Sequence, residues 1–99
     1  MNTYVIRRRN GWNNAAELEK TGAVSNDVSA EMSDKVRWIR TYVVTEEDGT
    51  LGALCIYQAV NDEAIREHAR RVDMPADEIV PVADTLVVNA DPEPATMKR

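Results

Sequence analysis

A ferredoxin-like α+β sandwich, with strands and helices in the order βαββαβ, is predicted by three features of the sequence. Residues 36–45 and 51–59 are β-branched and aromatic runs on either side of Glu47-Asp48-Gly49-Thr50, which is a hairpin signature. Two stretches with helical apolar spacing, each opened by an asparagine, flank that hairpin. An extended stretch precedes the first helix and another follows the second. Right-handed crossovers then order the antiparallel strands 4-1-3-2, with both helices on one face of the sheet.

Residues 3–9 mix aromatic, β-branched and arginine side chains without a turn former and form the first predicted strand, ended by Asn10-Gly11. Asn13 or Asn14 caps the first helix, whose apolar positions Val24, Val28 and Met32 recur every fourth residue. Gly22 weakens its middle by about 1 kcal/mol relative to alanine. Asn61 caps the second helix, with Asp62 and Glu63 at its positive end and His68, Arg70 and Arg71 toward its negative end. Ile65, Ala69 and Val72 mark its buried stripe. Pro75 prevents further helix, and residues 78–88 form the fourth predicted strand. Pro81 suits a sheet edge, where its missing N–H breaks no ladder bond. The domain thus spans residues 1–88, and residues 89–99, with two prolines and few apolar groups, form a disordered tail.

The hairpin turn decides which side chains share a face. A two-residue turn at Asp48-Gly49 sets Tyr42 opposite Cys55 and Arg40 opposite Tyr57, whereas a three-residue loop with a bulge at Gly49 shifts that pairing. On the first register one face carries Val36, Trp38, Arg40, Tyr42, Val44, Ala53, Cys55, Tyr57 and Ala59. The other carries Ile39, Thr41, Val43, Leu54 and Ile56. The second set is compact and aliphatic and is assigned to the helices. The aromatic set is assigned to the open face, where it suits an interface or a pocket. Aromatic side chains bury roughly 150–250 Å² each, so a second copy of the sheet is the simplest cover. This predicts a homodimer.

Composition narrows the partners. The 99 residues are 43% apolar and 29% charged, which is ordinary for one globular domain. A net charge of −5 disfavours nucleic acid and anionic membrane. The charge divides as +2 over residues 1–40 and −7 over 41–99, so a local cationic patch for an anionic ligand is compatible with it. Cys55 is the one cysteine, which excludes an intrachain disulfide. Residues 1–9 hold no apolar stretch of signal-peptide length, and nothing approaches the ~18 apolar residues of a spanning helix. A reducing cytoplasm is the predicted location.

Several segments resemble a family of small bacterial proteins, some of them described as nickel-binding. They are Tyr4-Val5-Ile6-Arg7-Arg8, Val36-Arg37-Trp38-Ile39-Arg40-Thr41-Tyr42-Val43 and Cys55-Ile56-Tyr57-Gln58-Ala59, followed by Glu63-Ala64-Ile65-Arg66-Glu67-His68-Ala69 and Pro75-Ala76-Asp77-Glu78-Ile79. The likeness runs through residues 3–88. It implies a ferredoxin-like fold and a dimer of the α/β-barrel kind. It also implies nickel as a cofactor, which the residues themselves disfavour. Where nickel-binding members carry histidines, this sequence has Arg7-Arg8-Arg9 and Met74, and His68 alone matches. A transition-metal site needs several N, S or carboxylate ligands, so His68 beside Glu67 reads first as a charge pair near a helix end and only second as a metal ligand.

No catalytic motif is present, and the sequence by itself points to a place rather than a reaction. The predicted ligand site is Arg40, Tyr57, Tyr42 and Cys55, with Trp38 and Arg7 at its margin. A guanidinium among aromatics is a receptor for a small anionic molecule such as a carboxylate or phosphate. The structural alternatives are that Arg40 pairs across the dimer or stacks on Tyr57, and that Cys55 is a small buried packer. Alternation divides Arg7-Arg8-Arg9 between two faces, where pairing with acids such as Asp84 is the simpler role. Glu46-Glu47-Asp48 is a solvated turn. The strand from Leu51 to Tyr57 lacks the basic, doubly aromatic motif of RNA-binding sheets. Three function classes remain: a dimeric small-ligand or metal-ion binding protein, an enzyme acting on a small organic substrate, and a protein-interaction module.

Overall fold

The computed structural model describes residues 1–93. Its elements are β1 (Asn2–Trp12), α1 (Ala15–Glu31), β2 (Val36–Thr45), β3 (Leu51–Ala59), α2 (Asp62–Val72) and β4 (Glu78–Pro81). The strands form one antiparallel sheet in the order β2-β3-β1-β4, which is the predicted order read from the other edge. The fold is ferredoxin-like.

Local chemistry sets the helix ends. The Asn14 side chain accepts from the Glu17 amide at 3.0 Å, and Glu17 reaches back to the Asn13 amide at 3.0 Å, so two exposed donors are satisfied reciprocally. Asn61 caps α2 through the Ala64 amide at 2.9 Å. Asp73 closes α2 in the left-handed region with φ 61°, and its amide bonds back into the last turn. The predicted stripe of α2 is buried as Ile65, Ala69 and Val72. In α1 the stripe is only partly right, because Val28 and Met32 are buried while Val24 is exposed.

Asn10-Gly11 does not end β1. Asn10 adopts φ 49° and forms a bulge, after which Trp12 resumes pairing with Leu51. Side chains of the hairpin turn hold the bulge: Glu46 accepts from the Asn10 amide, and Asn10 donates to Asp48 and Thr50. The turn formers were therefore bulge formers.

The hairpin takes the longer of the two loops. Gly49 has φ 88° and donates to the Glu46 carbonyl, while the Glu46 amide donates to the Thr50 carbonyl. Thr45 then faces Leu51, Tyr42 faces Leu54 and Arg40 faces Ile56. The pairings of Tyr42 with Cys55 and of Arg40 with Tyr57 are thus corrected, by one residue of slip that puts Arg40 and Tyr42 on the opposite face from Cys55 and Tyr57. A second irregularity between Trp38 and Arg40 returns Trp38 to a position opposite Tyr57.

The face assignment changes with it. Tyr4, Ile6, Val36, Ala53, Cys55, Tyr57 and Ala59 join Val28, Met32, Ile65 and Val72 in the buried core under the helices. The open face of the sheet instead carries Val5, Leu54, Ile56, Arg40 and Tyr42, with Arg7 beside Leu54. β4 is an edge strand as predicted, but it ends at Pro81 rather than at residue 88. Its register explains why: Tyr4 faces Pro81 and the Val82 amide donates to the Thr3 carbonyl, so β1 runs out of partners there. Leu86, Val87 and Val88 are each more than 80% exposed. Residues 89–93 form neither helix nor strand, and the rest of the predicted tail lies outside the described residues. No described helix is long and apolar enough to cross a membrane.

Candidate functional site

Between α1 and the helix-covered side of the sheet lies a cavity of about 190 Å³. Sheet residues Arg8, Trp38, Ala53, Cys55 and Tyr57 floor it, and Leu18, Thr21, Gly22 and Ser25 of α1 close it from above. Trp12, Thr41, Val43 and Met74 complete the wall. Gly22 keeps the helix side open, since a Cβ there would meet nothing within 4 Å.

Arg8 is the unusual residue of this site. In β1 it continues the inward row of Tyr4 and Ile6, so a fully charged side chain is carried beneath the helices and is 1% exposed. Its Nη1 donates to the Pro75 carbonyl at 2.5 Å, and its Nε donates to Cys55 Sγ at 3.4 Å. Its Cζ lies 5.9 Å from the centre of the Tyr57 ring, a cation–π distance. Nη2 has no partner among the described residues. No carboxylate among them pairs with this guanidinium: Arg7 pairs with Glu46 at 2.7 Å and Arg9 with Glu78 at 2.6 Å. Two of the three arginines thus pair with acids as expected, the acids being Glu46 and Glu78 rather than Asp84.

A polar chain leads from the cavity into the core. The Tyr57 hydroxyl lies 3.3 Å from Ser25 Oγ, and burial pushes the Tyr57 pKa up. His68 sits edge-on to the Tyr57 ring at 5.3 Å between centres. Its Nε2 is 2.9 Å from Ser29 Oγ and 3.3 Å from the Ser25 carbonyl, and its Nδ1 is buried without a partner among the described residues. Burial pushes the His68 pKa down, the Ser25 carbonyl partly opposes that, and Arg8 and Arg71 reinforce it. His68 is therefore a core residue, not the helix-end partner of Glu67, which pairs with Arg71 instead.

The six predicted ligand-site residues fall on opposite sides of the sheet. Trp38, Cys55 and Tyr57 line the cavity, with Trp38 parallel to Tyr57 at 6.2 Å between centres. Arg40, Tyr42 and Arg7 lie on the open face, where Arg40 reaches the Tyr42 hydroxyl at 3.3 Å and pairs with Asp91. Arg8 was missed in favour of its neighbours. The signal was available, since Arg8 is two residues from Ile6 and four from Tyr4, on the strand face that must pack against the helices.

Chemically, this is a half-open apolar pocket with a buried cation, Arg8, in its wall. Trp12 and Trp38 spend their indole N–H groups on Thr21 at 2.9 Å and Thr41 at 2.8 Å, and Thr41 donates to Cys55 Sγ at 3.2 Å. Among the described residues no group of three or more His, Cys, Asp or Glu is placed to hold a metal ion. Cys55 is free and buried, with the Arg8 guanidinium against its sulfur.

A family model described as "nickel responsive protein SCO4226-like" matches residues 4–82. The crystal structure of SCO4226 from Streptomyces coelicolor A3(2) superposes with a TM-score of 0.66 at 16% sequence identity, covering 85% of this chain and 99% of that one. At that identity the likeness is one of fold. No curated protein matches the chain.

Proposed function

Because the chain belongs to the SCO4226-like nickel responsive family, and because the buried cation Arg8 in the cavity wall has no counter-charge among the described residues, we propose that it is a homodimeric small-ligand binding protein. The ligand sits in the cavity beneath α1, and Arg8 is its polar anchor.

The observation that carries this reading is Arg8 itself. A buried ion costs several kcal/mol in lost hydration, and that cost is ordinarily offset by an opposite charge with good geometry. Here the described residues supply a carbonyl, a sulfur and an aromatic face, and leave Nη2 buried without a partner beside an apolar pocket. A small molecule bearing a negative or strongly accepting group supplies what is missing.

The nickel of the family description does not fit the donors of one chain. A first-row metal ion is held by several N, S or O ligands, and His68 offers none of its neighbours as a second ligand. Its Nε2 is engaged by Ser29 and Ser25, and the nearest ring is that of Tyr57. At Cys55 the adjacent guanidinium repels a cation. A ligand of other chemistry suits this cavity better than nickel. The reducing cytoplasm suits a thiol held in this way.

Native mass spectrometry of protein purified from its own host tests the reading. A dimer in which each chain carries a small organic molecule, released on unfolding, is the expected result. Apo chains that take up no small molecule from a broad mixture of metabolites would overturn it.

A further inference from the structure

The wall of the cavity also dictates the class of ligand, an inference that rests on the cavity being the binding site. Its polar side-chain groups are engaged inside the protein: Trp12 with Thr21, Trp38 with Thr41, Thr41 with Cys55, and Tyr57 with Ser25. Among the described residues of the wall, Arg8 alone has a side-chain nitrogen, the buried Nη2, without a partner. The space therefore asks for one acceptor at one point and offers nothing to a second polar group, which would be stripped of water without recompense. One remaining guanidinium nitrogen matches a carboxylate monoanion, whereas a phosphate dianion needs more donors than Arg8 has left.

Size sets the body of the ligand. An apolar cavity of about 150 Å³ admits benzene, so about 190 Å³ holds one ring with a carboxylate attached. The aromatic walls at Trp12, Trp38 and Tyr57 favour a flat apolar body over a branched polar one. We propose that the protein binds a monocarboxylate with a single-ring apolar body, its carboxylate on Arg8 Nη2 and its ring between the sheet and α1 at Gly22.

Fluorescence reads this directly, because the chain's two tryptophans, Trp12 and Trp38, both line the cavity. The full chain is titrated with benzoate, with phthalate and with benzyl alcohol. Two variants accompany it: Gly22→Leu, which fills the open space on the helix side, and Arg8→Met, which keeps the stem and removes the charge. Benzoate is expected to bind saturably, with phthalate and benzyl alcohol about tenfold weaker or more. Gly22→Leu abolishes binding of benzoate, and Arg8→Met weakens benzoate about tenfold or more while leaving benzyl alcohol unchanged. Should Arg8→Met fail to fold, the three-ligand comparison and Gly22→Leu decide alone. Equal binding of all three ligands, blocked by Gly22→Leu, overturns the monocarboxylate class and leaves the cavity reading standing. No binding of any, or binding that Gly22→Leu does not touch, overturns the class and the site together.

Discussion

Arg8 shows how a strand can carry a function that its neighbours hide. Arg7 and Arg9 point to the other side and are paired with Glu46 and Glu78, so the triplet reads as a solvated charge run unless the alternation is followed inward from Tyr4 and Ile6. Replacing an uncompensated buried ion with an apolar side chain of similar length is often neutral or stabilising. Arg8→Met is therefore expected to unfold in urea within about 1 kcal/mol of the wild type or above it. A loss of about 3 kcal/mol or more would mean that the Pro75 and Cys55 contacts outweigh the buried charge. His68 yields a second residue-scale prediction. It is the sole histidine, and burial holds its folded pKa below the ordinary 6.5, so the unfolded chain takes up the proton first. Its contribution to stability is complete above the unfolded value and is lost as pH falls below it toward the folded pKa. Stability should decline from pH 7 toward pH 5.5, and His68→Gln should flatten that decline. An unchanged slope in the variant would assign the pH dependence to other groups.

At the scale of elements, two glycines make opposite predictions. A Cβ on Gly52 would lie 2.7 Å from the Arg8 carbonyl and closer still to Glu46, so Gly52→Ala forces β1 and β3 apart where the Arg7–Glu46 pair crosses them. A cost of about 2–3 kcal/mol is expected from denaturant unfolding. Gly22, in the middle of α1, meets nothing, so Gly22→Ala should stabilise the chain by about 1 kcal/mol. Stabilisation by the first or loss by the second would show the local geometry to be wrong. Element type and order were legible because caps, helical spacing and turn formers are local signals: Asn14, Asn61 and the stripe of α2 stand where the sequence put them. Register was not legible, because Asp48-Gly49 is compatible with two loop lengths and only the ties from Asn10 to Glu46, Asp48 and Thr50 select one. That one-residue choice parted Arg40 and Tyr42 from Cys55 and Tyr57, and the helices cover the face of Trp38, Cys55 and Tyr57 rather than the other. The end of β4 was invisible for a similar reason: residues 82–88 are as strand-prone as those before them, and only the start of β1 stops the ladder.

For the whole molecule, the corrected faces move the case for a homodimer onto different residues. Trp38 and Tyr57 are satisfied inside the protomer and no longer ask for a partner. What remains on the open side is a row of Val80, Val5 and Ile56 running across three strands, with Leu54 and Tyr42 in the next row. Val80 and Tyr42 are nearly half exposed. The protein is a slab of 35 × 35 × 22 Å, and its broad face is large enough for the ~800 Å² per partner of a stable interface. A two-fold axis through that face sets each aliphatic row against its copy and leaves the helices and the cavity outside. Light scattering coupled to size exclusion should therefore give twice the chain mass at micromolar concentration. Ile56→Glu places a charge at the centre of the row and should give the chain mass, with the fluorescence of Trp12 and Trp38 unchanged because both lie on the other side of the sheet. A wild-type monomer would remove the interface, and an Ile56→Glu dimer would move it to another face.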